Sequence, residues 1–425
     1  MKDLTKIRIS NGIEIVCAET DKFKTNEIAV TFLAPLSEKY ASANALLFSL
    51  LSRTTKKYPT VSELNKKLAM LYGAKVAFSV SKLGENQALT VMISSLADRF
   101  AIDDESISAD SFSLLMDMLF APNTENGCFS EHDLKREKKL LCEKLDAEYN
   151  EKRIYSLRKL EELMFSGEPY AVNKYGTKEQ INALTSAELK DAYYSLLSRA
   201  KIQITVVGDA DVEYIATQTK ERFANIDRNY QPPVKAVFKP AANEVKNLSE
   251  AIDVEQGKLV LGFRVNSEDD FCAKPQIRLF CDVFGGGPYS KLFCNVREKM
   301  SLCYYCSARY DRKKSCVIIQ CGCEEENMDK AISEILNQLS IVKNGDIAEE
   351  FAAAKMSISD LIMSVRDDSL ALCSWYVNQI TDREIITPEE SAAQNNAVTS
   401  EQIVSSAELL SLDSVFRLVP KKEGE

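Results

Sequence analysis

Two periodicities alternate along this chain and divide it into recognisable elements. The opening "LTKIRISNGIEIV" alternates polar and apolar residues and reads as strand. "ASANALLFSLLSR", Ala41 to Arg53, is helical. Ala43, Leu46, Leu47, Leu50 and Leu51 form its apolar stripe, and Ala45, Phe48 and Ser49 share a second face. A capped helix is predicted from Thr60, and "LNKKLAMLYGAKVAFSV" carries it through a break into a strand. The second strand of that pair is "NQALTVMISS", and a helix follows over Phe112 to Phe120.

The same order returns later. "LFCNVREKMSLCYYCSA" reads as helix, break and strand, "SCVIIQCGC" as the second strand, and Met328 to Ile341 as a helix. Thr185 with Glu188 and Thr399 with Gln402 are matching capping boxes. Each opens a helix that yields to a β-rich run, near Ile202 and near Val415. The chain therefore reads as a duplication. Paired prolines in "RNYQPPVKAVFKPAANE" mark the seam, giving domains 1–228 and 245–425 joined by a linker at 229–244. Strands and helices come in clusters, not in βαβα alternation. The expected class is α+β, each half a mainly antiparallel sheet with helices on one face.

Composition narrows the chemistry. With 53 basic and 63 acidic residues the net charge is −10, which disfavours nucleic acid or an anionic membrane as partner. No apolar run reaches the roughly 18 residues of a spanning helix. The N-terminus has no export signal, so a cytoplasmic protein with reduced thiols is expected. Of twelve cysteines, eight fall between Cys272 and Cys323. "CYYC" and "CGC" (Cys303, Cys306, Cys321, Cys323) raise a zinc reading, but they sit in strand-like segments. Small buried core residues are the favoured reading there.

The single histidine, His132, excludes mechanisms that need two imidazoles; its charged surroundings predict a solvated helix start. Gly285, Gly286 and Gly287 lack the lysine and spacing of a phosphate loop and predict a turn. "EHDLKREKKLLCEKLDAEYNEKR" interleaves both signs of charge, as a solvated helix face does. Trp375 lies in an apolar helix and is expected to pack.

"NKYGTKEQINALTSAEL…ITVVGDAD" in the first half and "FGGGPYSKLFCNVREKMSLCYYCSA" in the second resemble the insulinase/pitrilysin-like metallopeptidases, the mitochondrial processing peptidase subunits among them. The resemblance spans nearly the whole chain and implies two similar α+β domains facing each other across a peptide-binding chamber. Active members carry H-x-x-E-H on the first helix, with two His on one face to bind zinc and a Glu to activate water. The matching positions here are Ala45, Phe48 and Ser49, and no histidine precedes His132.

The family's third ligand, a Glu on the long charged helix, falls by this resemblance at Glu143, a relict carboxylate. Its substrate-contacting Arg and Tyr fall at Arg297 and Tyr304. No catalytic residue, bound metal or cofactor is expected in this chain, zinc being expected only in an active partner. The implied role is a non-catalytic subunit that completes the peptide chamber of an active H-x-x-E-H paralogue. A stand-alone peptide-binding or scaffold protein, a homodimer, and new chemistry in the old chamber are the alternatives.

Overall fold

The computed structural model describes residues 4–267 and 275–421. In chain order the first half supplies β1 (Leu4–Ser10), β2 (Ile13–Glu19), β3 (Thr25–Pro35), α1 (Ala41–Leu51), α2 (Val61–Met70), β4 (Lys75–Leu83) and β5 (Asn86–Leu96). There follow α3 (Ile107–Phe120), α4 (Glu131–Asn150), α5 (Lys152–Met164), α6 (Lys178–Ala183), α7 (Ser186–Arg199), β6 (Lys201–Gly208) and α8 (Val212–Phe223). The second half supplies β7 (Lys246–Ile252), β8 (Lys258–Val265), α9 (Pro275–Gly285), a π-helical stretch (Leu292–Lys299), β9 (Tyr305–Asp311) and β10 (Cys316–Gly322). It ends with α10 (Met328–Lys343), α11 (Ala348–Ser364), α12 (Ser369–Val377), α13 (Pro388–Asn396), α14 (Ser400–Glu408) and β11 (Leu410–Pro420).

The duplication is visible in sheet order. The first sheet runs β1-β2-β6-β3-β5-β4 and the second β7-β11-β8-β10-β9. Apart from the extra edge strand β1, the two orders superimpose. Each has one parallel pair, β2 with β6 and β11 with β7, and antiparallel pairing elsewhere. Both capping boxes form as the sequence predicts, with Thr185 opening α7 and Thr399 opening α14. The chain is α+β.

The two compact units are not contiguous in sequence. Unit 1 comprises Met1–Asp146, Val172–Lys235 and Val365–Ile385, and unit 2 comprises Ala147–Ala171, Ala236–Ser364 and Ile386–Glu425. The main seam falls inside the expected linker, but each half also lends the other a segment. α12 packs on β3 and β6 of unit 1, and α5 packs on β8 and β11 of unit 2.

Pleating explains why both are needed. Ile28, Val30, Phe32, Ile202, Ile204 and Val206 point into the main helical layer of unit 1. The alternate residues Val16, Ala18, Ala29 and Val207 are apolar too, and Leu372, Cys373, Tyr376 and Val377 of α12 cover them. In unit 2, Leu160, Met164 and Phe165 cover Val260, Ile318, Phe416 and Leu418 in the same way. α5 approaches β8 closely at Gly262, where a Cβ would stand 2.6 Å from Met164 Sδ. The helices thus form one thick layer on one face of each sheet, and a single helix from the other half covers the reverse.

Unit 2 also buries a charged cluster. Arg264 Nε donates to Asp413 Oδ2 (2.9 Å) and its Nη2 to the Met164 carbonyl (2.7 Å). Lys314 Nζ and Lys239 Nζ both reach Glu168, each at 2.8 Å. Among the described residues, no helix is long and apolar enough to cross a membrane.

Candidate functional site

α1 has apolar or small residues on nearly every side, and of its residues only Ser49 is even partly exposed. The face carrying Ala45, Phe48 and Ser49 lines a pocket of about 150 Å³. Phe78 and Val80 of β4, Leu140, Leu141 and Lys144 of α4, and Tyr175 form the rest of its wall. Tyr175 is set there by the turn at Gly176, whose φ of +70° and contact with Ser42 leave no room for a side chain.

Each of the three motif positions has an ordinary structural occupation. The Phe48 ring sits edge-on to both Phe32 and Phe78, with centroids 5.9 Å away in each case. The Ser49 hydroxyl donates to the Ala45 carbonyl at 3.3 Å, within the helix. Ala45 is buried and offers no donor atom.

Zinc needs imidazole, thiolate or carboxylate ligands. None lines this pocket, and its one charged group is the Lys144 ammonium, 4.7 Å from the centre of the Tyr175 ring. A cation at the mouth would repel a second cation. The residues present do not fit zinc.

Glu143 is not part of the pocket wall. It is more than half exposed and pairs with Lys139 one turn earlier, at 3.7 Å. The buried carboxylate of α4 is Glu137, which Arg53 approaches at 3.4 Å and Arg136 at 3.2 Å. Sequence reasoning missed it, although the signal was present: Glu137 falls in the apolar stripe Leu134, Leu141, Leu145. His132 lies at the exposed start of α4, as expected, near Asp133.

In unit 2, Arg297 lies in the π-helical stretch, half-exposed, beside Glu298 (3.4 Å) and over the Phe293 ring (4.6 Å). Tyr304 lies just before β9. Its side chain is exposed, and its hydroxyl donates to Glu324 Oε1 over a long 3.4 Å. Both side chains are thus accessible and lightly held.

The cysteines of this region are buried in and beside β9 and β10, as expected, and three of them also cluster. Cys306 and Cys321 face each other across β9 and β10, and Cys303 folds back beside them. The three Sγ atoms lie within 4.8 Å of one another. Hydrogen bonding with Cys306 and Cys321, helped by Arg297, pulls the Cys303 thiol down to about 4 against the opposing effect of burial. Hydrogen bonding with Cys303 pushes both Cys306 and Cys321 up. Cys272 lies outside the described residues.

Comparison with known proteins fits this geometry. The family profile described as "Peptidase M16 inactive domain" matches residues 183–358. A probable inactive metalloprotease, YmfF of Bacillus subtilis, is 29% identical over 417 residues, covering 96% of each chain. A conserved protein of known structure from Enterococcus faecalis superimposes with a TM-score of 0.90 at 26% identity, over 99% of this chain and 100% of that one. A peptidase M16 inactive domain from Pseudomonas fluorescens gives a TM-score of 0.77 at 16% identity, over 100% of both chains, a likeness of fold alone.

Proposed function

Because this chain belongs to the insulinase/pitrilysin-like (M16) peptidase family, we propose that it serves as an inactive subunit completing the peptide-binding chamber of an active, zinc-bearing H-x-x-E-H homologue. The carrying observation is the α1 pocket. The positions that would hold zinc and activate water are Ala45, Phe48 and Ser49, packed as core and backed by Lys144. A chain with that pocket needs its metal chemistry from elsewhere.

Arg297 and Tyr304 support the complementary half of the reading. A guanidinium can hold a peptide carbonyl or carboxylate with a planar set of donors, and a phenol can donate to a developing oxyanion. In this role both act on substrate bound at the partner's zinc, and the pair works in the cytoplasm.

The test is reconstitution. The purified chain is mixed with an H-x-x-E-H homologue encoded in the same genome, and cleavage of a peptide library is followed for each chain alone and for the mixture. Activity that needs both supports the reading. Full activity of the homologue alone, unchanged on mixing, contradicts it.

A further inference from the structure

We propose that Cys303, Cys306 and Cys321 form a binding site for a thiophilic metal ion of the zinc type in unit 2. The site is built by the fold and not by a local sequence loop. Cys306 and Cys321 are cross-strand partners on β9 and β10. Cys303 is delivered by the exit of the π-helical stretch. There the Met300 amide bonds the Asn295 carbonyl, Ser301 turns the chain with a φ of 52°, and the Leu302 amide bonds the Val296 carbonyl.

The geometry is close to what a metal requires. Tetrahedral zinc with Zn–S of about 2.3 Å places its sulfurs about 3.8 Å apart. Three sulfurs already within 4.8 Å of one another reach that spacing by small side-chain adjustments. All three cysteines are buried, so the ion would be shielded from water and competing ligands. An all-sulfur set selects Zn2+ or Cu(I) over the hard cations Mg2+ and Ca2+. A bound ion would pin the entry to β9, which carries Tyr304, to the end of β10.

This site is independent of the α1 pocket and of any partner. The test uses the full chain, reduced with a phosphine, stripped with chelator, loaded with Zn2+ or Co2+ and dialysed. The expected result is about one zinc per chain, and for cobalt the intense thiolate charge-transfer and tetrahedral ligand-field bands. C303S, C306S and C321S should each lose the metal and these bands. C281S, a buried cysteine elsewhere, and E143Q should keep both.

Should C306S or C321S fail to fold, two readings remain. Wild-type thiols at 303, 306 and 321 should be protected from alkylation by zinc, and C303S, altered at a loop position, tests the ligand set. Copper(I) competition separates the two metals. No bound metal, metal retained by C303S, alkylation unaffected by zinc, or a native Cys306–Cys321 disulfide in freshly isolated protein would each overturn the proposal.

Discussion

Ser369 Oγ donates a hydrogen bond of 2.9 Å to Glu27 Oε1, joining the first residue of α12 to the middle of the first sheet across 342 positions of sequence. Thr25 and Ser94 donate to the same oxygen, at 3.0 and 2.8 Å. Glu27 Oε2, also buried, has no hydrogen-bond partner among the described residues. This carboxylate is the polar anchor of the exchanged helix.

Burial pushes Glu27 above the usual carboxylate range, and the three hydroxyl donors only partly oppose this. The protonated form is therefore favoured by folding. Its stabilising contribution is complete below the ordinary glutamate value and is lost as pH rises through the raised folded value. Glu27→Gln should flatten this dependence and melt no lower than wild type at pH 8. Thermal melts of both proteins between pH 4 and pH 8 check it (chosen to bracket the ordinary value of about 4.3). Parallel curves for the two would show that Glu27 is not responsible.

Glu168 should behave in the opposite sense. Burial pushes it up, but hydrogen bonds from Lys239 and Lys314 and the nearby Arg264 outweigh that and hold it below the usual range. Its contribution is present above the ordinary glutamate value and is lost as pH falls through the lowered one. Glu168→Gln removes the carboxylate that stands 2.8 Å from the wholly buried Lys314 ammonium. It should cost about 3 kcal/mol in urea unfolding at neutral pH. A loss below about 0.5 kcal/mol, the range of ordinary surface substitutions, would mean that the cluster contributes little.

Much of this was legible in the sequence. The capping boxes at Thr185 and Thr399 and the repeated helix–strand–strand order gave the duplication, because these are local signals. The exchange of α5 and α12 was not legible. Leu372, Cys373 and Tyr376 advertise an apolar face, but nothing in their spacing says which sheet they cover. The silent α1 positions could be read from residue identity alone. The thiol cluster could not, since the cross-strand register that pairs Cys306 with Cys321 and the turn that returns Cys303 are tertiary facts. Glu143, placed by family resemblance as a relict carboxylate, faces solvent, while helix phase turns Glu137 inward.

Restoring the motif should not restore an enzyme. Ala45→His, Phe48→Glu and Ser49→His together place ligands on one face of α1 but remove the aromatic wedge between Phe32 and Phe78. The expected cost is on the order of 3 kcal/mol, with weak zinc binding beside Lys144 and very slow peptide cleavage. Metal analysis in a C303S background and a peptidase assay check this. Efficient turnover would show that the groups needed to orient the ligands survive.

Arg297→Ala and Tyr304→Phe should separate binding from turnover in a reconstituted pair. Loss of the guanidinium should mainly raise KM. Loss of the phenol should mainly lower kcat, on the order of a hundredfold. Gel filtration should show an intact complex in both cases. Unchanged kinetics would leave these side chains with packing roles only.

The most direct test is isolation of the chain, tagged at its C-terminus, from its native source under non-denaturing conditions, followed by mass spectrometry and a zinc-dependent peptidase assay. The expected result is a near-stoichiometric second chain carrying H-x-x-E-H, with activity that follows the pair and is absent from the tagged chain alone. Recovery of the tagged chain by itself, or only with copies of itself, would contradict the proposed role, most decisively if that material cleaved peptides in a zinc-dependent manner.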